Sequence, residues 1–198
     1  MNGVSRIFGP ASSCVFLALA IALSSAPASG QAPSSAQRKA PELSFNVPGS
    51  GPQLLSAYHG KVISIEFIYT TCVHCQHASQ TQKFMQENFG PKGFQALDIA
   101  INPNADLLVE NFSKDFGLNF PVGWTTPDRA VSFLQFSPSD RYVVPQIVVI
   151  DRKGYIRAQT TVKGDDVKGA DAIRMEPALS NLVKSLVDES GSRAQAKH

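Results

Sequence analysis

At 198 residues, with 18 lysines and arginines against 16 aspartates and glutamates, the chain has a formal charge of +2 at pH 7. That balance argues against a polyanion-binding protein, so neither nucleic acid nor a polybasic membrane contact is expected. The length suits one packed domain and leaves no room for a second of full size once the N-terminal segment is set aside.

Residues 1–30 read as a cleaved export signal. Arg6 supplies a short positive region, "CVFLALAIAL" from Cys14 to Leu23 an apolar run, and "APASG" small residues for cleavage near Ala28 or Gly30. The apolar run falls short of the roughly 20 residues that cross a bilayer, so no stable membrane insertion is expected after cleavage. Cys14 precedes the apolar run, which argues against lipidation. Its loss with the signal leaves Cys72 and Cys75, which in an oxidising compartment outside the cytoplasm can pair only with each other. So short a loop adds little stability as a cross-link, which points to a reactive pair.

Residues 31–41, "QAPSSAQRKAP", have the composition of a flexible linker, and 189–198, "ESGSRAQAKH", that of a disordered tail. One domain, 42–188, lies between. "KVISIEFIY" (61–69) is a β-branched apolar run, expected for a strand buried on both faces, with Glu66 anomalous in its middle. From Cys72 the period becomes helical through Ala78, Met85 and Phe89, and Gly90-Pro91 ends the helix. "FQALDIAIN" (94–102) alternates as a second strand, and "ADLLVENFSKDFG" puts Leu108, Phe112 and Phe116 on one helical face.

A short helix is expected over 127–136, and strands over 146–151 and 155–160 form a hairpin about "RKG". "EPALSNLVKSLVDE" begins a last helix at Pro177 and sets Leu179, Leu182, Val183, Leu186 and Val187 on its core face. Strands alternating with helices and closing on a hairpin predict an α/β fold with a mixed central β-sheet flanked by helices.

The chemistry concentrates in "EFIYTTCVHCQH" (66–77). Cys-x-x-Cys at a helix start sets the first sulfur against unpaired amide groups and the positive end of the helix dipole, which favour a thiolate. Cys72 is then the attacking cysteine. Cys75, one turn further in, is placed to resolve a mixed disulfide. A carboxyl within an apolar strand resists ionisation, so Glu66 is a candidate to exchange a proton with Cys75; the alternative is an edge strand with Glu66 in solvent.

These segments resemble the thioredoxin-like redoxin group, the exported thiol-disulfide oxidoreductases that include those of cytochrome c maturation. "ISIEFIYTTCVHC" is similar to the group's strand-plus-motif segment, with Glu66 where a buried acid precedes the first cysteine by six residues. "LLSAYHGKVISIEF" resembles its lead-in, and "VVPQIVVIDRKGYI" the segment whose proline is cis and lies against the cysteines. That resemblance implies a thioredoxin-like fold without a dissociable cofactor, acting as a monomer on protein thiols and disulfides and served by a membrane or exported thiol donor. It implies that Pro145 and Val144, with Thr71 beside the first cysteine, hold an extended substrate chain. His74, between the cysteines, would tune the potential, and the direction of electron flow stays open. Pro145 follows Cys72 by 73 residues, which leaves room for an extra helix and strand.

Three other chemistries are weighed on spacing. Haem attachment needs a histidine directly after the second cysteine, where Gln76 stands. A peroxiredoxin-like thiol peroxidase with antioxidant activity needs Pro-x-x-x-Thr-x-x-Cys, where Ile65 and Tyr69 stand. Copper delivery would use Cys72 and Cys75 with a further histidine, from His74, His77, His59 or His198, yet related copper proteins separate their cysteines by three residues. No metal site is expected.

Overall fold

The computed structural model describes residues 38–195, with side-chain burial through Glu189, so the segment read as an export signal, most of the segment read as a linker and the last three residues lie outside the described part. Seven strands form one mixed sheet: β1 (Ser44–Val47), β2 (Gly51–Leu54), β3 (Val62–Ile68), β4 (Phe94–Ala100), β5 (Val122–Trp124), β6 (Gln146–Ile150) and β7 (Ile156–Gln159). Their order is β2-β1-β5-β4-β3-β6-β7. β3, β4 and β5 run parallel, while β6 is antiparallel to β3 and the hairpins β1–β2 and β6–β7 occupy the edges. The helices are α1 (Val73–Phe89), α2 (Ala105–Asp115), α3 (Pro127–Leu134) and α4 (Glu176–Gln195).

Every residue of β3 and of β4 is buried. The alternation of the strand sorts them onto two cores. Val62, Ile68, Phe94, Ala96 and Ala100 pack with Met85 and Phe89 of α1, Val109 and Phe112 of α2, and Leu179 and Val183 of α4. Ile63, Ile65, Phe67, Leu97 and Ile99 pack on the opposite side with Phe45 and with Phe133 and Leu134 of α3. The Phe67 and Phe133 rings lie 5.7 Å apart.

The expected elements are present, with informative differences. Strand β4 is covered on both faces, so its alternation of apolar and polar residues does not mark a solvent side. On α2 the buried positions are Ala105, Val109 and Phe112, and Leu108 is partly exposed. The apolar face is rotated because α2 meets the sheet beside β5. The ordered domain reaches back into the segment read as linker: Arg38 Nη2 donates to Phe133 O at 3.0 Å and to Gln159 Oε1 at 2.7 Å, and Lys39 bridges to Tyr155. A guanidinium that finds two acceptors anchors a stretch whose composition alone predicts disorder. At the other end α4 runs to Gln195, past Glu189, where a disordered tail was expected; Gly191 alone does not stop a helix that has no proline to end it.

β5 and α3 are the extra strand and helix expected between the Cys-x-x-Cys helix and Pro145, whereas the β1–β2 hairpin is too short to show a period and went unread. The hairpin and β5 join through Asn46 and Trp124. A Cβ on Gly123 would collide with the Asn46 carbonyl oxygen and come within 3.0 Å of the Phe45 ring. Gly123→Ala is therefore expected to cost about 1–3 kcal/mol through overpacking, measured as a lowered urea midpoint with an unchanged slope.

Candidate active site: a dithiol over two buried carboxyls

Strand β3 ends at Ile68, and a turn from Tyr69 to Cys72, closed by the Cys72 amide on the Tyr69 carbonyl at 3.0 Å, leads into α1. The turn is held from both sides. Thr70 N donates to Asn102 Oδ1 at 3.0 Å, and Gln76 Nε2 to Thr70 O at 3.2 Å. Cys72 is the N-cap of α1, and its Sγ accepts from Cys75 N at 3.4 Å. The first sulfur thus takes one of the amides that a helix start leaves unpaired.

Both cysteines are free thiols, Cys72 half-buried and Cys75 fully buried. Burial is the chief cause that pushes the Cys75 thiol well up; the Tyr69 backbone pulls it down, and Cys72 and Glu66 push it further up. Cys75 therefore stays protonated until a base takes its proton.

Glu66 lies on the same side of the sheet as α1, fully buried, with no hydrogen-bond partner for either oxygen among the described residues. Its strand is central, so the edge alternative is ruled out. Burial pushes its carboxyl well above the usual range, Asp98 raises it further, and Arg174 pulls the other way. Asp98 is directly opposite in the parallel register of β3 and β4. It is also fully buried, and burial pushes it up to about 7 against the pull of a 2.6 Å hydrogen bond from Ser79 Oγ. Sequence reasoning missed it. The available signal was an acid in mid-strand, the same that exposed Glu66, but 94–102 was read only as an alternating strand and Asp98 was not singled out.

The Val144–Pro145 peptide bond is cis, with Pro145 buried and Val144 half-buried against both cores. A second unforeseen residue supports it: Arg174, from a 3₁₀ turn (Ala170–Arg174), donates through Nη1 to Pro145 O and through Nε to Asp171 Oδ1 at 3.1 Å. Asp171 in turn accepts from Thr161 N at 2.9 Å and from Asp166 N at 3.0 Å. Thr71, His74 and His77 are exposed around the first turn of α1. Trp124 packs on the core, half-buried.

Among the described residues no three of His, Cys, Asp and Glu are grouped so as to hold a metal ion. His59 precedes β3 whereas the cysteines follow it, about 20 Å away along the strand at ~3.3 Å per residue. No described helix is long and apolar enough to cross a membrane.

A seven-stranded mixed sheet with a Cys-x-x-Cys helix and a cis-proline loop agrees with the comparisons. The Redoxin family model matches residues 35–173. The chain belongs to the redoxin family. It is 25% identical over 103 residues to thiol-disulfide oxidoreductase ResA of Geobacillus kaustophilus, covering 52% of this chain and 56% of that protein. The protein of the same name from Geobacillus thermodenitrificans is 24% identical over 116 residues, covering 58% and 63%. The chain thus spans little more than half the length of these curated relatives. A thiol:disulfide interchange protein of the thioredoxin family from Chlorobium tepidum superposes with a TM-score of 0.62 at 21% identity, over 78% of this chain and 99% of that one. One from a Bacteroides species gives 0.59 at 17%, over 77% and 90%. These share the thioredoxin-like fold expected from the sequence.

Two predictions follow from the buried charges. Glu66 and Asp98 keep protons in the folded state that the unfolded chain releases above about pH 4, so the unfolded state binds fewer protons and stability falls as pH rises from about 4 through 7. The denaturation midpoint of the reduced protein should drop between pH 5 and pH 8, and Glu66→Gln should flatten that slope. Arg174→Met, which strips donors from Asp171 and from the Pro145 carbonyl, is expected to cost about 2–3 kcal/mol by chemical denaturation at pH 7.

Proposed function

We propose that this protein is an exported thiol-disulfide oxidoreductase that exchanges the Cys72–Cys75 dithiol or disulfide with protein partners. The observation that carries this reading is the asymmetry of the pair: Cys72 is half-exposed at the helix N-cap, and Cys75 is sealed behind it with its amide on the first sulfur. The family membership and the names of the relatives support it. The export signal of residues 1–30 supports action outside the cytoplasm.

In the reducing direction the Cys72 thiolate attacks a partner disulfide, forming a mixed disulfide and releasing one partner thiolate, which takes a proton from water. Cys75 then gives its proton to the buried Glu66–Asp98 pair, which carries one negative charge, attacks Cys72 Sγ and displaces the second partner thiolate. Two electrons leave the pair together with the one proton of Cys75, which stays on the buried carboxyl pair, and the partner departs as two thiolates that take their protons from water. No dissociable cofactor is required, because the electrons travel in the sulfur–sulfur bond. The reverse sequence oxidises a partner by the same groups, and an exported or membrane thiol donor closes the cycle of a reductase.

Val144 and Pro145 would hold an extended partner segment, with Thr71 contributing beside the first cysteine. The pairing of Gln146 with Phe67 near the end of β3, and the packing of both Val144 and Cys72 on the same core, support this. His74 lies exposed in the first turn of α1, two residues after Cys72, where it tunes the potential of the pair modestly through solvent.

Cys75→Ser is expected to accumulate mixed disulfides with partner proteins, seen as reductant-sensitive adducts on non-reducing gels, while Cys72→Ser accumulates none. Equal trapping by both variants would refute the assigned roles. The reduction potential of the pair reads the direction: about −270 mV marks a reductase and about −120 mV an oxidase.

A further inference from the structure

Glu66 and Asp98 face each other across β3 and β4 on the side that α1 covers, but their surroundings differ. Neither oxygen of Glu66 has a hydrogen-bond partner among the described residues, and a carboxylate so placed is far costlier than the acid. Asp98 Oδ2 lies 2.6 Å from Ser79 Oγ, a length typical of a charge-assisted bond. The same hydroxyl is 3.0 Å from the Cys75 carbonyl oxygen. It has one proton, and the shorter contact decides where that proton points. A single negative charge on this pair therefore resides on Asp98, and the proton on Glu66.

The other groups around the pair do not reverse that order. The Cys75 thiol from α1 and the Arg174 guanidinium act on or beside Glu66. Gln82 of α1 is neutral and donates to Ser64 Oγ at 3.0 Å. Ile147 of β6 opposite Glu66, Val122 of β5 opposite Asp98, and the core residues of α2 and α4 are apolar.

We propose that Asp98 is the terminal acceptor of the Cys75 proton: Glu66 takes the proton from Sγ and passes the one it already holds across the strand pair to Asp98. This rests on the resolving role given to Cys75 above. The Cys75 S–H bond breaks, the Cys75–Cys72 bond forms, and the bond from Cys72 to the partner's sulfur breaks with its electron pair on the departing thiolate. One carboxylate becomes a carboxylic acid. The buried negative charge moves from Asp98 to sulfur and leaves with the partner, so two buried charges never coexist.

Carbon-13 titration of the two side-chain carboxyls in the reduced protein reads the seat of the charge. Asp98 is expected to ionise first, near pH 7, and Glu66 only at higher pH. In Asp98→Asn the Glu66 titration should come down by about one pH unit or more, since a neighbouring negative charge is gone. Glu66 ionising before Asp98, or a Glu66 titration unmoved by Asp98→Asn, overturns the assignment. Ser79→Ala removes the hydroxyl donor but no charge, and should raise the pH midpoint of the resolving step by about one unit. Slowing by the same factor at every pH would show a structural role only and would also overturn the proposal. The titration needs no turnover, so it holds or fails separately from the resolving role, which mixed-disulfide trapping by Cys75→Ser reads.

Discussion

Seven consecutive buried residues, Val62–Ile68, make β3 the element to which every part of the site is referenced. The strand is apolar enough to be covered on both faces, by α1 and α4 on one side and α3 on the other, and this coverage fixes its register with β4 and β6. A one-residue slip would exchange the two cores and turn Glu66 away from α1. The same register delivers Cys72 to the end of the strand, where α1 begins, and brings Pro145 alongside, since Gln146 pairs with Phe67. The geometry of the dithiol is thus a consequence of strand packing more than of any contact made by the cysteines themselves.

That packing imposes a cost on stability which chemistry turns to use. A protein interior that has to cover β3 and β4 completely leaves Glu66 and Asp98 without water and nearly without donors. An apolar pair would be more stable in the same place. A carboxyl kept in this condition has an affinity for protons raised toward that of a thiol, and proton exchange between oxygen and sulfur becomes feasible where it would be strongly uphill for an exposed acid. The depth of Cys75 matters for the same reason: its thiol is isolated from solvent, and Glu66 is the carboxyl whose charge acts on it.

Much of this was legible in the sequence. The βα succession, the cysteines at a helix start, and the anomaly of Glu66 in an apolar run all follow from period and composition, because long buried strands and amphipathic helices carry strong patterns. Asp98 was hidden by the same rule: an alternating segment implies one wet face, yet β4 lies between two covered strands and both its faces are dry. Arg174 and Asp171 were illegible for another reason. They lie in a 3₁₀ turn among glycines and polar residues, and their meaning comes from reaching back 29 positions to the Pro145 carbonyl, which no local pattern announces. The ordering of Arg38 likewise depends on acceptors in Phe133 and Gln159, remote in sequence.

Three acids in this domain show how environment, not residue type, assigns a role. Burial alone would push the Asp171 carboxyl up, but donors from Thr161, Asp166 and Arg174 hold it below the usual carboxylate range, so it is a fixed anion that braces the loop of Pro145. Glu66 has the same functional group with no donor and is held in the acid form. Asp98, with one hydroxyl donor, lies between them. Arg174 links the extremes, since its guanidinium satisfies Asp171, bonds the Pro145 carbonyl and draws on Glu66 through space. The side chain that braces the Pro145 loop is therefore also the cation whose charge acts on the buried Glu66–Asp98 pair.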